Sequence, residues 1–165
     1  MRPTALALLF IFPLISCAQG KFATGDVKKL IARVFTEKGD IGLRDFEFKE
    51  GSVISPIRDP SRIVAAVYQK ASTIVVLVSW LKDSTKKLYQ VLDVLEIRNV
   101  QQGWQVRTAL CRQDQQDDTE IVALARQNNG DFLTDIKQAW RFNRQQRHFE
   151  SLAVKGLDCF NEGGD

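Results

Sequence analysis

Thr73-Ile74-Val75-Val76-Leu77-Val78-Ser79-Trp80 is the stretch that decides the fold. It is rich in β-branched and aromatic residues and nearly continuous in its apolar character, which predicts a strand buried on both faces rather than one with a wet side. The polar run Lys82-Asp83-Ser84-Thr85-Lys86-Lys87 follows as the tip of a hairpin, and residues 88–97 return as a second long strand. On that return Leu88, Val91, Leu92 and Leu95 also fit one face of a helix, and the adjacent strand decides the choice. Upstream, residues 63–68 read as a further strand by the same composition.

Working outward, residues 43–48 read as a short strand with Phe46 and Phe48 on one alternating face, and residues 54–60, with Pro56 and Pro60, as irregular or edge structure. After Gln101-Gln102-Gly103, residues 104–111 alternate Trp104, Val106, Thr108 and Leu110 against Gln105, Arg107 and Ala109. Residues 120–126 and 148–154 supply further strands. Two segments carry helical spacing. Val27, Leu30, Ile31, Val34 and Phe35 follow Thr24 and Asp26 as caps and precede Gly39, and Leu133, Ile136 and Trp140 follow Asn129-Gly130-Asp131. The expected fold class is therefore α+β: a mainly antiparallel sheet with a helix near the start of residues 26–165 and another near their C-terminal end.

The chain has 165 residues, 44% of them hydrophobic, and a formal net charge of +3 at pH 7. That is enough apolar material for one domain with a real core, and residues 26–165 read as a single unit without an internal repeat or linker. So small a charge gives no case for nucleic-acid binding, and none is expected.

At the amino terminus, Met1-Arg2-Pro3-Thr4 precede the uncharged apolar run 5–15. A helix of that length reaches only about half of a roughly 30 Å hydrocarbon layer, so it suits a removable signal peptide better than a permanent span. The residues closing it, Leu14-Ile15-Ser16-Cys17, resemble the lipobox of bacterial lipoprotein precursors. The resemblance implies loss of the signal peptide 1–16, a diacylglycerol on the Cys17 thiol and a further acyl chain, such as palmitate, on the new amino terminus. Several chains together give stable anchoring, because each buried methylene contributes about 0.8 kcal/mol. The implied place is the periplasmic side of the cell envelope, anchored by lipid to the outer membrane, with residues 17–25 as a tether. Cleavage after Ala18 is the rival, and it would release a soluble secreted protein.

If Cys17 carries lipid or is removed, Cys111 and Cys159 remain, and in an oxidising compartment they most simply form a disulfide. Two cysteines with His148 fall one ligand short of a closed zinc site, so no metal is expected.

Catalytic motifs are missing from the sequence: there is no G-x-S-x-G, no phosphate-binding glycine loop and no H-E-x-x-H, and His148 is the single histidine. No catalytic residue and no cofactor is assigned. The acidic run Asp114, Asp117, Asp118 and Glu120 lacks the spacing of a calcium loop and reads as a solvated loop. On the second expected helix, Lys137, Arg141 and Arg144, with Arg147 close by, would make a basic stripe. Such a stripe suits anionic envelope material or an acidic partner, or else is a solvated face near the negative helix end. The function expected is that of a small exported, non-catalytic binding module of the envelope, with a protein or an envelope polymer as partner, and with an inhibitor or immunity protein as one form of it. The alternatives are a structural or assembly factor of the envelope and a carboxylate-dependent hydrolase.

Overall fold

The structure is a computed structural model and describes residues 26–37, 41–55 and 62–162. Cys17, the leader, the tether and the prolines at 56 and 60 lie outside the described residues. A 3-10 turn, Asp26–Leu30, comes first. It is followed by β1 (Val34–Thr36), β2 (Glu47–Val53), β3 (Ile63–Lys70), β4 (Thr73–Asp83), β5 (Leu88–Ile97), β6 (Trp104–Thr108) and β7 (Cys111–Gln113). Then come β8 (Gln116–Asp118), β9 (Ile121–Arg126), β10 (Phe132–Leu133), β11 (Ile136–Asn143), β12 (His148–Leu152) and β13 (Leu157–Phe160). They form three sheets, with strand orders β1-β5-β4-β3-β2, β12-β11-β9-β6 and β10-β13-β7-β8. Every pairing is antiparallel.

The α+β expectation is overturned, because neither expected helix exists. Val27 and Leu30 are buried together, but a single 3-10 turn is enough to bring residues three apart to one side. Ala32 then takes a left-handed φ of 66°, its N–H donates to the Val91 carbonyl at 2.9 Å, and the chain enters β1. In the second case the helical spacing comes from a change of sheet. Leu133 belongs to β10 in the third sheet, whereas Ile136 and Trp140 lie on β11 in the second. A β-bulge between Ile136 and Gln138 inserts one extra residue, and together these imitate a helical period. The strand expected over 104–111 is likewise divided: Ala109, at φ 61°, diverts the chain from β6 in the second sheet to β7 in the third. The strand expected to begin at 43 begins at Glu47.

The layers follow from which side each strand residue faces. Val76 and Val78 of β4, Ala65 and Val67 of β3, and Val106, Val122, Leu124 and Phe142 of the second sheet form one core between the first two sheets. On the far side of β4, Val75 and Leu77 pack with Val91 and Val94 beneath a cap made of Val27, Leu30, Ile41 and Leu43. On the far side of the second sheet, Ile121, Ala123 and Ala139 meet Cys111, Leu157 and Cys159 of the third. The order of layers is therefore cap, first sheet, second sheet, third sheet. β4 and β9 are the two strands buried on both faces, which is why they read as unbroken apolar runs.

Two cross-links hold the stack. Asp93, 6% exposed, sits where a bulge in β5 shifts the register against β4. One of its carboxylate oxygens accepts from Lys28 Nζ of the cap and the other from the Phe149 N–H of the second sheet, both at 2.8 Å. The Cys111–Cys159 disulfide joins directly opposed residues of β7 and β13. It closes a loop of 48 residues, for which loop-closure entropy amounts to about 4 kcal/mol of stabilisation. With it the C-terminal segment becomes a central strand of the third sheet.

Candidate binding groove

The cap covers only part of the outer face of the first sheet. On the remainder, the residues directed outward are Val64, Ala66 and Tyr68 of β3, Ser79 of β4, and Phe48, Gly51 and Val53 of β2, as their register against Val75 and Leu77 requires. Small side chains in the middle and rings at the two ends leave an open groove of about 580 Å3. At one end Phe35 of β1 stacks on Tyr89 of β5, ring centroids 5.5 Å apart. At the other Phe48 meets Tyr68 edge to face at 5.6 Å. A methyl group at Gly51 would lie 3.3 Å from the Phe48 ring, so glycine is what lets that ring fold down over β2. Phe48 and Val53 are 57% and 54% exposed, large apolar side chains held in water at the groove's rim. Burial raises the Tyr68 phenol above its ordinary range, so it is neutral at physiological pH and serves as a hydrogen-bonding tip on an apolar body. The Glu37–Lys87 ion pair borders the Phe35 end.

A second, smaller cleft of about 290 Å3 lies at the seam where β2 and β3 of the first sheet meet β6 of the second. Glu50 and Arg107 face each other there, Oε2 to Nη1 at 3.9 Å. Glu50 Oε1 accepts from the Thr108 hydroxyl at 2.7 Å, and Thr108 is in turn bonded to Ser52 at 2.6 Å. Burial raises the Glu50 carboxyl above its ordinary value of 4.5, against the opposing pull of the Thr108 hydrogen bond and of Arg107.

The residues singled out in the sequence are dispersed. Without the second helix there is no basic stripe. Lys137 lies 5.6 Å over the Trp104 ring, next to the core of the first two sheets, whereas Arg141 turns toward the third sheet, donating to Asp118 at 2.9 Å and Gln113 at 3.0 Å. Arg144 pairs with Glu120, and Arg147 occupies the β11–β12 turn with φ 58°. The acidic run is thus partly neutralised by these cations; it forms the β7–β8 hairpin and the residues after it. Among the described residues no cluster of three or more metal-ligating side chains occurs. His148 is half exposed, 3.4 Å from Glu150. The groove is not legible in the sequence, because Phe35 shares a helical spacing with Val27 and Ile31 and the register of Phe48, Gly51 and Val53 against β3 is set only by strand pairing. The one sequence signal for it is the pair Phe48 and Val53, apolar residues on a strand that otherwise carries Glu47, Lys49 and Glu50.

Because its folded pKa is raised, Glu50 contributes stability fully below its unfolded pKa and loses that contribution as pH rises through the folded value. Glu50→Gln keeps an acceptor for Thr108 without the charge. Its unfolding midpoint should exceed that of the parent at pH 7 and coincide with it at pH 4, as measured by urea denaturation at the two pH values.

Comparison of the chain with protein-family models, curated proteins and solved structures gave no match.

Proposed function

We propose that the chain is an exported envelope lipoprotein, lipid-modified at Cys17, whose domain is a non-catalytic binding module, and that the groove on the first sheet receives an apolar segment of a partner polypeptide. The carrying observation is the groove's make-up: two aromatic pairs around a floor of Gly51, Val64, Ala66 and Ser79, with Phe48 and Val53 exposed at its rim. Aromatic and aliphatic anchors of this kind dominate the energetics of protein interfaces. A stacked, disulfide-linked set of sheets keeps such a surface preorganised, which lowers the entropic cost of binding. An inhibitor or immunity protein needs no more than this. The lipobox-like sequence and a cysteine pair oxidised as expected for an exported protein support the proposed location.

Mass spectrometry of the mature amino terminus checks the anchor. A chain starting at Cys17 with a diacylglycerol mass is expected, and a chain starting at Gln19 with no acyl mass would overturn the anchor.

The groove is checked by affinity capture from envelope extract. Val53→Asp, at an exposed position where folding is not at stake, should reduce recovery of the bound protein at least tenfold, as for loss of a hot-spot contact. Arg141→Gln combined with Arg144→Gln, distant from the groove, should not. Equal recovery by Val53→Asp and the parent, or no specific protein bound by either, would contradict the proposal.

A further inference from the structure

The seam cleft has a property that the groove lacks: its wall carries two buried N–H donors with no partner among the described residues. Arg107 is 12% exposed and carries five N–H donors, yet its polar contacts with Glu50 and Asn161, at 3.9 and 3.4 Å, are both long. Nη1 lies 3.9 Å from Glu50, Nη2 donates to Asn161 at 3.4 Å, and Nε is buried with no partner among the described residues. Elsewhere the chain satisfies its half-buried arginines well. Arg112 grips Asp158 with bonds of 2.7 and 2.9 Å, and Arg141 holds Asp118 and Gln113 at 2.9 and 3.0 Å. Gln105 stands two residues before Arg107 on the same face of β6, and its Nε2 is likewise buried with no partner among the described residues. A buried unsatisfied donor costs on the order of 1–3 kcal/mol, so two of them in one cleft wall call for an acceptor.

We propose that the cleft between β2 and β6 binds a small carboxylic acid with a short apolar stem, its carboxylate taken by Arg107 and Gln105. The guanidinium fork matches a carboxylate in a two-point contact, and the charge-assisted bonds formed are stronger than neutral ones. The stem lies against Val67, Ile74 and Val106, the apolar part of the lining. The cleft's size, near the lower end of ligand pockets, admits a molecule of a few carbons and excludes a polymer.

Glu50 makes the binding depend on pH. The charged groups that act on it are Arg107 from β6 and Glu162 from the C-terminal segment, while Lys49 beside it is paired with Glu47. A carboxylate arriving next to Glu50 disfavours its ionised form, so binding takes up a proton there and tightens as pH falls while the ligand itself stays ionised.

The test is a titration of the folded, isotope-labelled protein with butyrate, followed by NMR through the Arg107 Nε–H and Gln105 side-chain signals, with inorganic phosphate as the anion lacking a stem. Butyrate should move both signals saturably, bind more tightly at pH 5.5 than at pH 7.5, and bind at least tenfold more tightly than phosphate. Arg107→Lys, which keeps the charge but not the fork, should weaken butyrate at least tenfold with the unfolding midpoint preserved. Glu50→Gln should retain binding and lose its pH dependence. The proposal is overturned if butyrate leaves both signals in place, if phosphate binds as tightly, or if Arg107→Lys binds like the parent.

Discussion

The two-sided burial of β4 is the constraint on which the rest of the structure depends. From Ile74 to Val78 every side chain is at most 2% exposed, and they alternate between two opposite faces of the same strand. Burying each large aliphatic side chain is worth about 1.5–3 kcal/mol, so leaving either face in water would forfeit several such contributions. One face is met by the second sheet and the other by the 3-10 turn and residues 41–46. β9 sets the same condition one layer further on, and the third sheet answers it. A chain with two doubly buried strands must supply covering layers, and here they are the cap around Val27, Leu30, Ile41 and Leu43 and the sheet of β7, β8, β10 and β13.

Burial of this kind leaves a mark in the sequence only where it belongs to a single strand. β3, β4, β5, β9 and β12 were legible because period-two alternation or continuous β-branched character is a property of the strand itself. The helical spacing of Val27 and Leu30, or of Leu133, Ile136 and Trp140, misleads because it depends on events outside the segment. A left-handed residue at Ala32, a bulge at Lys137 and a step from the third sheet to the second each displace side chains by one position. Local periodicity carries no record of which sheet a residue joins. The disulfide was legible by counting cysteines; that it would pin β13 beside β7 was not.

The groove and the cleft both arise where the layers cover one another incompletely. The cap stops short of the Gly51 and Val64 end of the first sheet, and what it leaves is apolar, because the outer face continues the pattern that β4 imposes. The seam is polar, because β2 and β6 are edge strands, and Glu50, Arg107 and Gln105 stand where the two sheets meet. Neither site was legible beforehand, since each joins residues tens of positions apart whose register is known only from the pairing. Of the basic residues prominent near the C-terminal end of the sequence, Arg141 ties the second sheet to the third, Arg144 pairs with Glu120, and Lys137 lies over the Trp104 ring within the second sheet.

The most direct measurement is the unfolding free energy of Leu77→Ala by chemical denaturation. Leu77 faces the cap, the smaller and less regular of the two covers of β4. If that cover is a true packing layer, the substitution costs about 2–5 kcal/mol, as for a core leucine. A cost within about 0.5 kcal/mol, the range of a surface substitution, would show that the outer face of β4 is not sealed and would contradict the layered arrangement.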